Sequence, residues 1–135
     1  ADAAGIKKIY LCGITPAPVD EYGSVRAQLA KVSLGAEKYV RWEKVASTAR
    51  LLDKLKNEGY TVFAVEQSKK AIPYYEFKIQ SAKSKVVVVM GNEVKGLPQS
   101  ILKRADKILE IPMYGRKESI NVSVAFGIVA FHFSK

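Results

Sequence analysis

Two loop segments carry the residues best suited to chemistry, and each follows a predicted strand. The loop Gly91–Glu93 follows the apolar run Lys85–Met90, and the loop Tyr114–Ile120 follows the shorter run Lys107–Ile111. Glycine lets a ligand approach the backbone closely, while carboxylate, hydroxyl and amide side chains can orient it. Because ligands in open α/β sheets lie beyond the carboxyl ends of the strands, these two loops form the predicted site.

The apolar patterns around these loops predict an α/β protein with a mostly parallel sheet. Lys85–Met90 is a continuous β-branched run of the kind that is buried on both faces of such a sheet. A helix predicted from about Thr48 to Glu58, with Gly59 as its stop, precedes a strand at Tyr60–Val65. This order is the second half of a βαβ unit, so we expect helices on both faces of the sheet.

Three further segments complete the expected order of elements. Ile9–Cys12 is predicted to be a buried strand that runs parallel to Tyr60–Val65. Ser24 is expected to cap a short helix, because a serine oxygen can accept a hydrogen bond from the first turn. Pro98 is expected to start another helix that continues through Ala105.

The last predicted helix, from about Val122 to Phe133, is apolar nearly all round. A helix without a polar face is buried on several sides, which in so small a domain indicates a subunit interface. His132 lies on this helix with no acidic residue or second histidine at ligand spacing. We therefore expect His132 to pack, and we predict no metal site.

Length and composition indicate one globular domain. The chain has 135 residues, of which 48% are hydrophobic and 26% charged, as in ordinary folded proteins. No apolar run approaches the roughly 20 residues of a membrane span, and the first residues lack the pattern of a signal peptide. These features predict a cytoplasmic protein without membrane association. Cys12 is the only cysteine, so no disulfide can form within one chain.

The positive charge of the chain is concentrated near the predicted site. The net charge is +9, and residues 69–117 contain eleven Lys and Arg against four Asp and Glu, a net of +7. A basic surface attracts nucleic acid, although a solvated basic face is an equally good interpretation of charge alone. The segment Lys69–Lys83 interleaves cations with aromatic residues, which can stack on single-stranded RNA. For Tyr75 and Phe77 we favour covering of the sheet edge.

Two sequence motifs resemble those of a known family. The segments GNEVKGLP and IPMYGRKESINVSVA, which follow the two predicted strands, resemble the second and third motifs of the SpoU/TrmH family of RNA ribose 2′-O-methyltransferases, within the SPOUT class. The resemblance covers most of the chain. It implies a parallel α/β sheet with a C-terminal trefoil knot, a homodimer, S-adenosylmethionine as the cofactor and tRNA or rRNA as the substrate.

The resemblance also assigns roles to individual residues. Glu93, Ser119 and Asn121 match polar residues that orient the ribose and organise the active site. Capping of the last helix is the structural alternative for Ser119 or Asn121, but with both motifs present we favour the active-site role for all three. The residues that would surround the cofactor are Val65, Glu66, Met90, Gly91, Ile111, Met113 and Ile120. Recognition of RNA would depend on the basic face, for which the candidates are Lys69, Lys70, Lys95, Arg116 and Lys117.

The first motif of the family is matched only in part. It has the form Asn-x-Gly followed by an Arg-Thr-Ala-like stretch, and Ala1–Gly5 matches only its tail. In the family, the arginine of this motif deals with the proton of the ribose hydroxyl. The single domain expected over residues 1–135 is thus expected to be N-terminally incomplete, and the chain as given to transfer methyl groups weakly or not at all.

Two alternatives compete with an RNA methyltransferase. A noncatalytic RNA-binding or dimerisation module of the same family would bind RNA with a steep salt dependence and show no turnover. A nicotinamide-dependent oxidoreductase is disfavoured, because the Gly-x-Gly-x-x-Gly signature follows none of the predicted strands.

Overall fold

The computed structural model describes residues 1–81 and 83–134, with the backbone but not the side chain of Val32. The chain folds into two compact units, Ala1–Thr48 and Ala49–Lys135. Each unit has a parallel sheet of its own. Over the residues described, no helix has the length and apolar character required to cross a membrane.

The first unit is organised around a pair of parallel strands. Its elements are β1 (Lys8–Cys12), α1 (Ala27–Ser33) and β2 (Arg41–Val45), with short 3₁₀ turns at Asp2–Ala4 and Ala36–Lys38. Lys8 and Glu43 form an ion pair between the two strands, with 2.6 Å between Nζ and Oε2. The hydrogen bond to Glu43 raises the pKa of Lys8.

The strand predicted at Ile9–Cys12 is confirmed, and its hydrogen-bonded partner is β2. Cys12 is half-buried, so the prediction of a buried cysteine is wrong. The predicted cap at Ser24 is also wrong, because α1 begins at Ala27 without a side-chain cap. The Ser24 backbone N–H instead donates to the Asp20 carboxylate at 2.9 Å, which closes a turn ahead of the helix.

The second unit combines one parallel sheet with helices that pack on it. Its described elements, including a helix that starts at the unit boundary, are α2 (Thr48–Asn57), β3 (Thr61–Val65), β4 (Ile72–Pro73), β5 (Val86–Met90), α3 (Gln99–Leu102), β6 (Lys107–Glu110) and α4 (Val122–Phe133). The strand order is β4-β6-β3-β5, and each neighbouring pair is parallel. The carboxyl ends of all four strands therefore lie along one edge of the sheet.

The central strand β3 packs against helices on both faces. Val62 is fully buried in a cluster with Leu52 of α2 and Ile101 of α3. The next residue, Phe63, points to the opposite face, where its ring lies 5.2 Å from that of Phe133 in α4. Phe77 covers the same face, with its ring centroid 4.6 Å from that of Phe63. The predicted parallel sheet with helices on both faces is thus confirmed in this unit.

Asp106 connects α2 to the start of β3. Its carboxylate accepts a hydrogen bond from the Val62 backbone N–H at 2.7 Å and pairs with Lys56 Nζ at 3.0 Å. Partial burial raises the pKa of the Asp106 carboxyl, but these two partners outweigh burial, so its pKa lies below the usual value. The Asp106 side chain thereby satisfies a backbone donor at the amino end of the central strand.

Two predictions for this unit need correction. The strand expected at Lys85–Met90 forms as β5 (Val86–Met90), but it lies at one edge of the described sheet and all five of its residues are half-buried, not buried. The helix expected from Pro98 to Ala105 extends only over Gln99–Leu102, with Pro98 as its N-cap residue. Packing of His132 is confirmed, since its ring lies 5.3 Å from that of Tyr74.

Candidate functional site

A cavity of about 280 Å³ opens at the carboxyl edge of β3, β5 and β6. Because these three strands are neighbours and parallel, the segment that follows each of them reaches the same place. All seven residues predicted to surround a cofactor line the cavity, namely Val65, Glu66, Met90, Gly91, Ile111, Met113 and Ile120. The two predicted loops thus border one cavity, although β3 separates the strands β5 and β6 from which they leave.

The structure places the three predicted active-site residues differently. Glu93 and Ser119 line the cavity from the loops after β5 and β6. Asn121 does not line it, although its neighbours Ile120 and Val122 do. The Asn121 side chain caps α4, where Oδ1 accepts a hydrogen bond from the Ser123 backbone N–H at 2.8 Å. The capping interpretation of Asn121 is therefore observed in the structure.

Several residues of the cavity wall were absent from the predicted set. Gln67, Asn92, Gly96, Val122 and Ala125 all contribute to it. Gln67 and Asn92 lie two positions after predicted strands, and Asn92 belongs to the predicted loop Gly91–Glu93, although no role was assigned to either side chain. Ala125 lies one turn inside α4, and its role depends on how that helix docks on the sheet, which no local sequence pattern reveals.

Backbone contacts shape the loop after β5. Asn92 Oδ1 accepts hydrogen bonds from the backbone N–H groups of Val94 and Lys95, and the Gly96 N–H donates to the Asn92 carbonyl at 3.0 Å. Gly91 packs directly on the returning chain, so a Cβ at Gly91 would lie 2.5 Å from the Gly96 carbonyl carbon. Gly96 has a φ of +63°, which favours glycine.

Gly91, Gly96 and Gly115 differ in whether neighbouring atoms leave room for a side chain. Gly91 and Gly96 require the absence of a side chain, because neighbouring atoms occupy the place of a Cβ. Gly115 has a negative or extended φ and nothing within 4 Å of an added Cβ. The packing of the chain itself therefore does not require glycine at position 115.

Glu66 and Gln67 connect the end of β3 to both neighbouring loops. Glu66 Oε2 accepts a hydrogen bond from the Leu97 backbone N–H at 2.8 Å, in the loop after β5. Gln67 Nε2 donates to the Ile111 carbonyl at 2.9 Å, in the loop after β6. The Glu66 backbone N–H also donates to the Leu109 carbonyl of β6 at 3.0 Å. The central strand thereby holds both sides of the cavity.

The five cations predicted to bind RNA lie on the segments that follow β3, β5 and β6, the three strands whose ends border the cavity. Lys69 and Lys70 follow β3, Lys95 follows β5, and Arg116 and Lys117 follow β6. All five are exposed, and Lys95 also lines the cavity. The strand order therefore brings together positive charges that are nearly 50 positions apart in the sequence.

Tyr75 does not simply cover the sheet, as the sequence had suggested. It is 47% exposed, whereas Tyr114, in the loop after β6, is 89% exposed. A hydrogen bond between the two hydroxyl groups raises the pKa of Tyr75. Tyr75 is supported from behind by Tyr74, with ring centroids 5.4 Å apart. Covering of the sheet is confirmed for Phe77 and wrong for Tyr75.

The part of the chain that the structure describes contains no candidate metal site. Within residues 1–81 and 83–134, no three His, Cys, Asp or Glu side chains are grouped so as to hold an ion. The cavity wall contains two carboxylates, Glu66 and Glu93, and an organic ligand is the kind of ligand that this wall would contact.

Substitution of Gly91 tests whether the loop after β5 depends on close backbone packing. Gly91→Ala would force a methyl group against Gly96 and Leu97, so the free energy of unfolding should fall by about 1–3 kcal/mol. Gly115→Ala is the matched control, and its open surroundings predict no loss of stability. Urea unfolding measures both, and amide NMR shifts at Gly96 and Leu97 report the loop. Equal stability of the two variants would contradict the observed packing.

Comparison with known proteins places this fold and site in a family. The model of the SpoU rRNA Methylase family matches residues 1–131. A tRNA (guanosine(18)-2′-O)-methyltransferase from Aquifex aeolicus is 39% identical over 100 residues, which are 74% of this chain and 46% of that protein. A 23S rRNA (guanosine-2′-O-)-methyltransferase from Neisseria meningitidis is 33% identical over 96% of this chain and 48% of its own length. The chain thus spans about half the length of these curated relatives.

Solved structures agree with the sequence comparison. An AdoMet-bound rRNA methyltransferase from Sinorhizobium meliloti matches with a TM-score of 0.84 and 28% identity, over 98% of this chain and 47% of that chain. A TrmH/SpoU tRNA-modifying enzyme from A. aeolicus matches with a TM-score of 0.79 and 32% identity, over 98% and 62%. The match of the family model to almost the whole chain, together with these relatives, shows that this chain belongs to the SpoU methylase family.

Proposed function

We propose that this chain forms the cofactor-binding part of an S-adenosylmethionine-dependent RNA 2′-O-ribose methyltransferase that acts on tRNA or rRNA. The observation that carries the proposal is the cavity at the carboxyl edge of β3, β5 and β6, because both motif loops border it. The relatives named as tRNA and rRNA 2′-O-methyltransferases, and the AdoMet-bound neighbour, support the same reaction.

The residues of the cavity fit S-adenosylmethionine. Met90, Ile111, Met113 and Ile120 supply apolar walls for the adenine ring and the methionyl chain. Gly91 also lines the cavity, and its lack of a side chain lets the loop after β5 fold back closely on itself beside the ligand. The Glu93 carboxylate of the wall suits a ligand that carries a sulfonium charge. The cavity volume of about 280 Å³ lies near the lower end of the range for small-molecule sites, roughly 300–1,000 Å³.

The protein contributes mainly alignment to the proposed reaction. When bound, S-adenosylmethionine supplies an electrophilic methyl group on its sulfonium. Glu93 and Ser119 lie on opposite loops of the cavity and would hold the ribose between them. Holding the 2′-hydroxyl in line with its target supplies most of the catalytic advantage. Asn121 would act from the start of α4 through its amide N–H₂ group, since its carbonyl oxygen caps the helix.

The exposed cations at the site support RNA as the substrate. Arg116 and Lys117 lie between Met113 and Ser119, which both line the cavity. They would contact phosphate groups next to the reacting ribose. Tyr114, held through its hydroxyl by Tyr75, presents an exposed ring on which a nucleobase can stack.

A homodimer, a C-terminal knot and a single domain belong to the same proposal. Val124 and Phe131 of α4 are 54% and 55% exposed, although the helix is apolar throughout. A second copy of the chain would cover them.

The family further implies that the segment from β5 to α4 is threaded as a trefoil knot. Because the family match spans both compact units, residues 1–135 would act as one methyltransferase domain, in the cytoplasm, where tRNA and ribosomes are found.

Two measurements with this chain test the proposed function. Calorimetry measures binding of S-adenosylmethionine and S-adenosylhomocysteine, and labelled methyl transfer is measured with bulk tRNA and rRNA. Cofactor binding supports the proposal, and its absence contradicts it. Label on ribose 2′-oxygens would support the reaction itself, and the partial first motif predicts that this transfer is weak. RNA binding without cofactor binding would favour the noncatalytic module.

Asn121→Asp separates helix capping from catalysis. Aspartate is as good an N-cap as asparagine, so the melting temperature should stay the same. The variant loses the amide N–H₂ donor, which predicts a fall in methyl transfer of about 10- to 100-fold, equivalent to one lost hydrogen bond. Asn121→Ala is the comparison that loses both roles. Equal transfer by the wild type and Asn121→Asp would restrict Asn121 to capping.

Removal of charge at Arg116 and Lys117 tests the RNA surface. The double variant to alanine should weaken RNA binding and flatten the dependence of log K on log salt by about 0.7 per lost contact with single-stranded RNA. Replacement of Lys31 and Lys54, two exposed lysines on α1 and α2, removes the same charge as a control. Filter binding over a salt series measures both. Equal slopes for the two double variants would reject a local contact.

Phe131→Glu tests the proposed dimer. Contact with a second copy would bury the apolar ring of Phe131, so a carboxylate there should shift the protein toward monomer. Gln28→Glu adds the same charge at an exposed position on α1 and should leave the assembly unchanged. Sedimentation velocity measures the oligomeric state of each variant. A Phe131→Glu protein that sediments like the wild type would remove α4 from the interface.

A further inference from the structure

The end of β3 carries a pair of hydrogen bonds that span the cavity. The Glu66 carboxylate accepts from the Leu97 N–H at 2.8 Å, and the Gln67 amide donates to the Ile111 carbonyl at 2.9 Å. One residue therefore holds the loop after β5, and the next holds the loop after β6. The loops after β5 and β6 are not adjacent in the sequence. The hydrogen bonds of Glu66 and Gln67 therefore set the distance between these two loops.

Gly96 fits directly against the Glu66 carboxylate. A Cβ at Gly96 would overlap Oε2 of Glu66 and lie 3.0 Å from its Cδ atom. The loop after β5 thus passes close to the Glu66 carboxylate, which a Cβ at Gly96 would displace, and its next residue, Leu97, donates to the same oxygen. The carboxylate and the loop have complementary shapes, as expected for a structural contact.

The oxygen atoms of Glu66 are directed to backbone groups. Oε2 accepts from Leu97 N–H, and Oε1 accepts from the N–H of Gln67 at 3.0 Å. Among the described residues, none of the ion pairs includes Glu66. The family resemblance suggested direct contact between Glu66 and the cofactor, but this geometry favours a role that operates through the loop.

We propose that Glu66, assisted by Gln67, is a positioning residue that fixes the loop 91–97 against the rest of the cavity and so sets cofactor affinity without itself binding the cofactor. The proposal rests on the proposed function for its effect on affinity. Its structural part, retention of the loop through the Leu97 N–H, stands independently of any ligand.

Two substitutions distinguish positioning from direct binding. Glu66→Gln keeps an oxygen that can accept from Leu97 N–H, whereas Glu66→Ala removes it. We expect Glu66→Ala to weaken S-adenosylhomocysteine binding at least ~10-fold and Glu66→Gln to stay within ~3-fold of the wild type, because one hydrogen bond is restored. An equal loss in both variants would show that the charge of Glu66 binds the ligand and would overturn the proposal. An unchanged affinity in Glu66→Ala would overturn it as well.

A core variant controls for general loss of stability. Leu55 is 3% exposed in α2 and is not part of the cavity wall. Leu55→Val should lower the melting temperature without changing the affinity for S-adenosylhomocysteine, measured where every variant is folded. If Leu55→Val weakens binding as much as Glu66→Ala, the effect of Glu66 comes from stability alone and the proposal is wrong.

Hydrogen exchange at the Leu97 amide provides a readout that needs no ligand. Exchange should accelerate at least ~10-fold in Glu66→Ala and remain close to the wild-type rate in Glu66→Gln, since only the former loses the acceptor. If the wild-type chain binds no S-adenosylhomocysteine, the proposed function fails while Leu97 exchange still decides whether Glu66 holds the loop. Unchanged exchange in Glu66→Ala would reject the contact itself.

Discussion

The position of β3 between β5 and β6 is the constraint on which the rest of the second unit depends. Parallel pairing on both sides aligns three strand ends, with Val65 opposite Met90 on one side and Leu109 on the other. Every segment that borders the cavity leaves the sheet from one of these ends or enters α4. Burial of Val62 and Phe63 on opposite faces stabilises β3. The strand whose end borders the cavity is therefore also part of the hydrophobic core.

Hydrogen bonds at the carboxyl edge of the sheet then hold the loops that enclose the cavity. A loop after a strand is usually the more mobile part of a fold, because its backbone groups face water. Here the loop after β5 is closed internally by Asn92 and held externally by Glu66. Gly91 and Gly96 allow these contacts because they occupy places where a side chain would collide. The shape of the loop after β5 is therefore determined by its own residues together with the end of β3.

Much of the site was predictable from the sequence, because its position follows from local patterns. The alternation of an apolar run with a glycine-containing polar loop identified both motif segments. The individual cofactor residues came from the family resemblance, and they line one cavity. The helix at Thr48–Asn57 was equally clear, since its leucines share one face and Gly59 ends it. Such features depend on neighbours in the sequence.

Features that depend on distant pairing were not predictable in the same way. A β-branched run such as Val86–Met90 indicates a strand but not whether it lies at the centre or edge of a sheet. The hydroxyl contact between Tyr75 and Tyr114, and the bond from Glu66 to Leu97, join residues that are about 30 to 40 positions apart. Neither sequence position contains a signal of the other.

Helix α4 both lines the cavity and carries exposed apolar surface. Its amino end is fixed by Asn121, its first turns reach the cavity through Val122 and Ala125, and Val129 is fully buried. The remaining apolar surface, around Phe131, is half-exposed. A partner that covers Phe131 would hold the same rigid helix that forms one wall of the cavity. Dimerisation and cofactor binding, if both occur as proposed, would therefore stabilise one another through a single element.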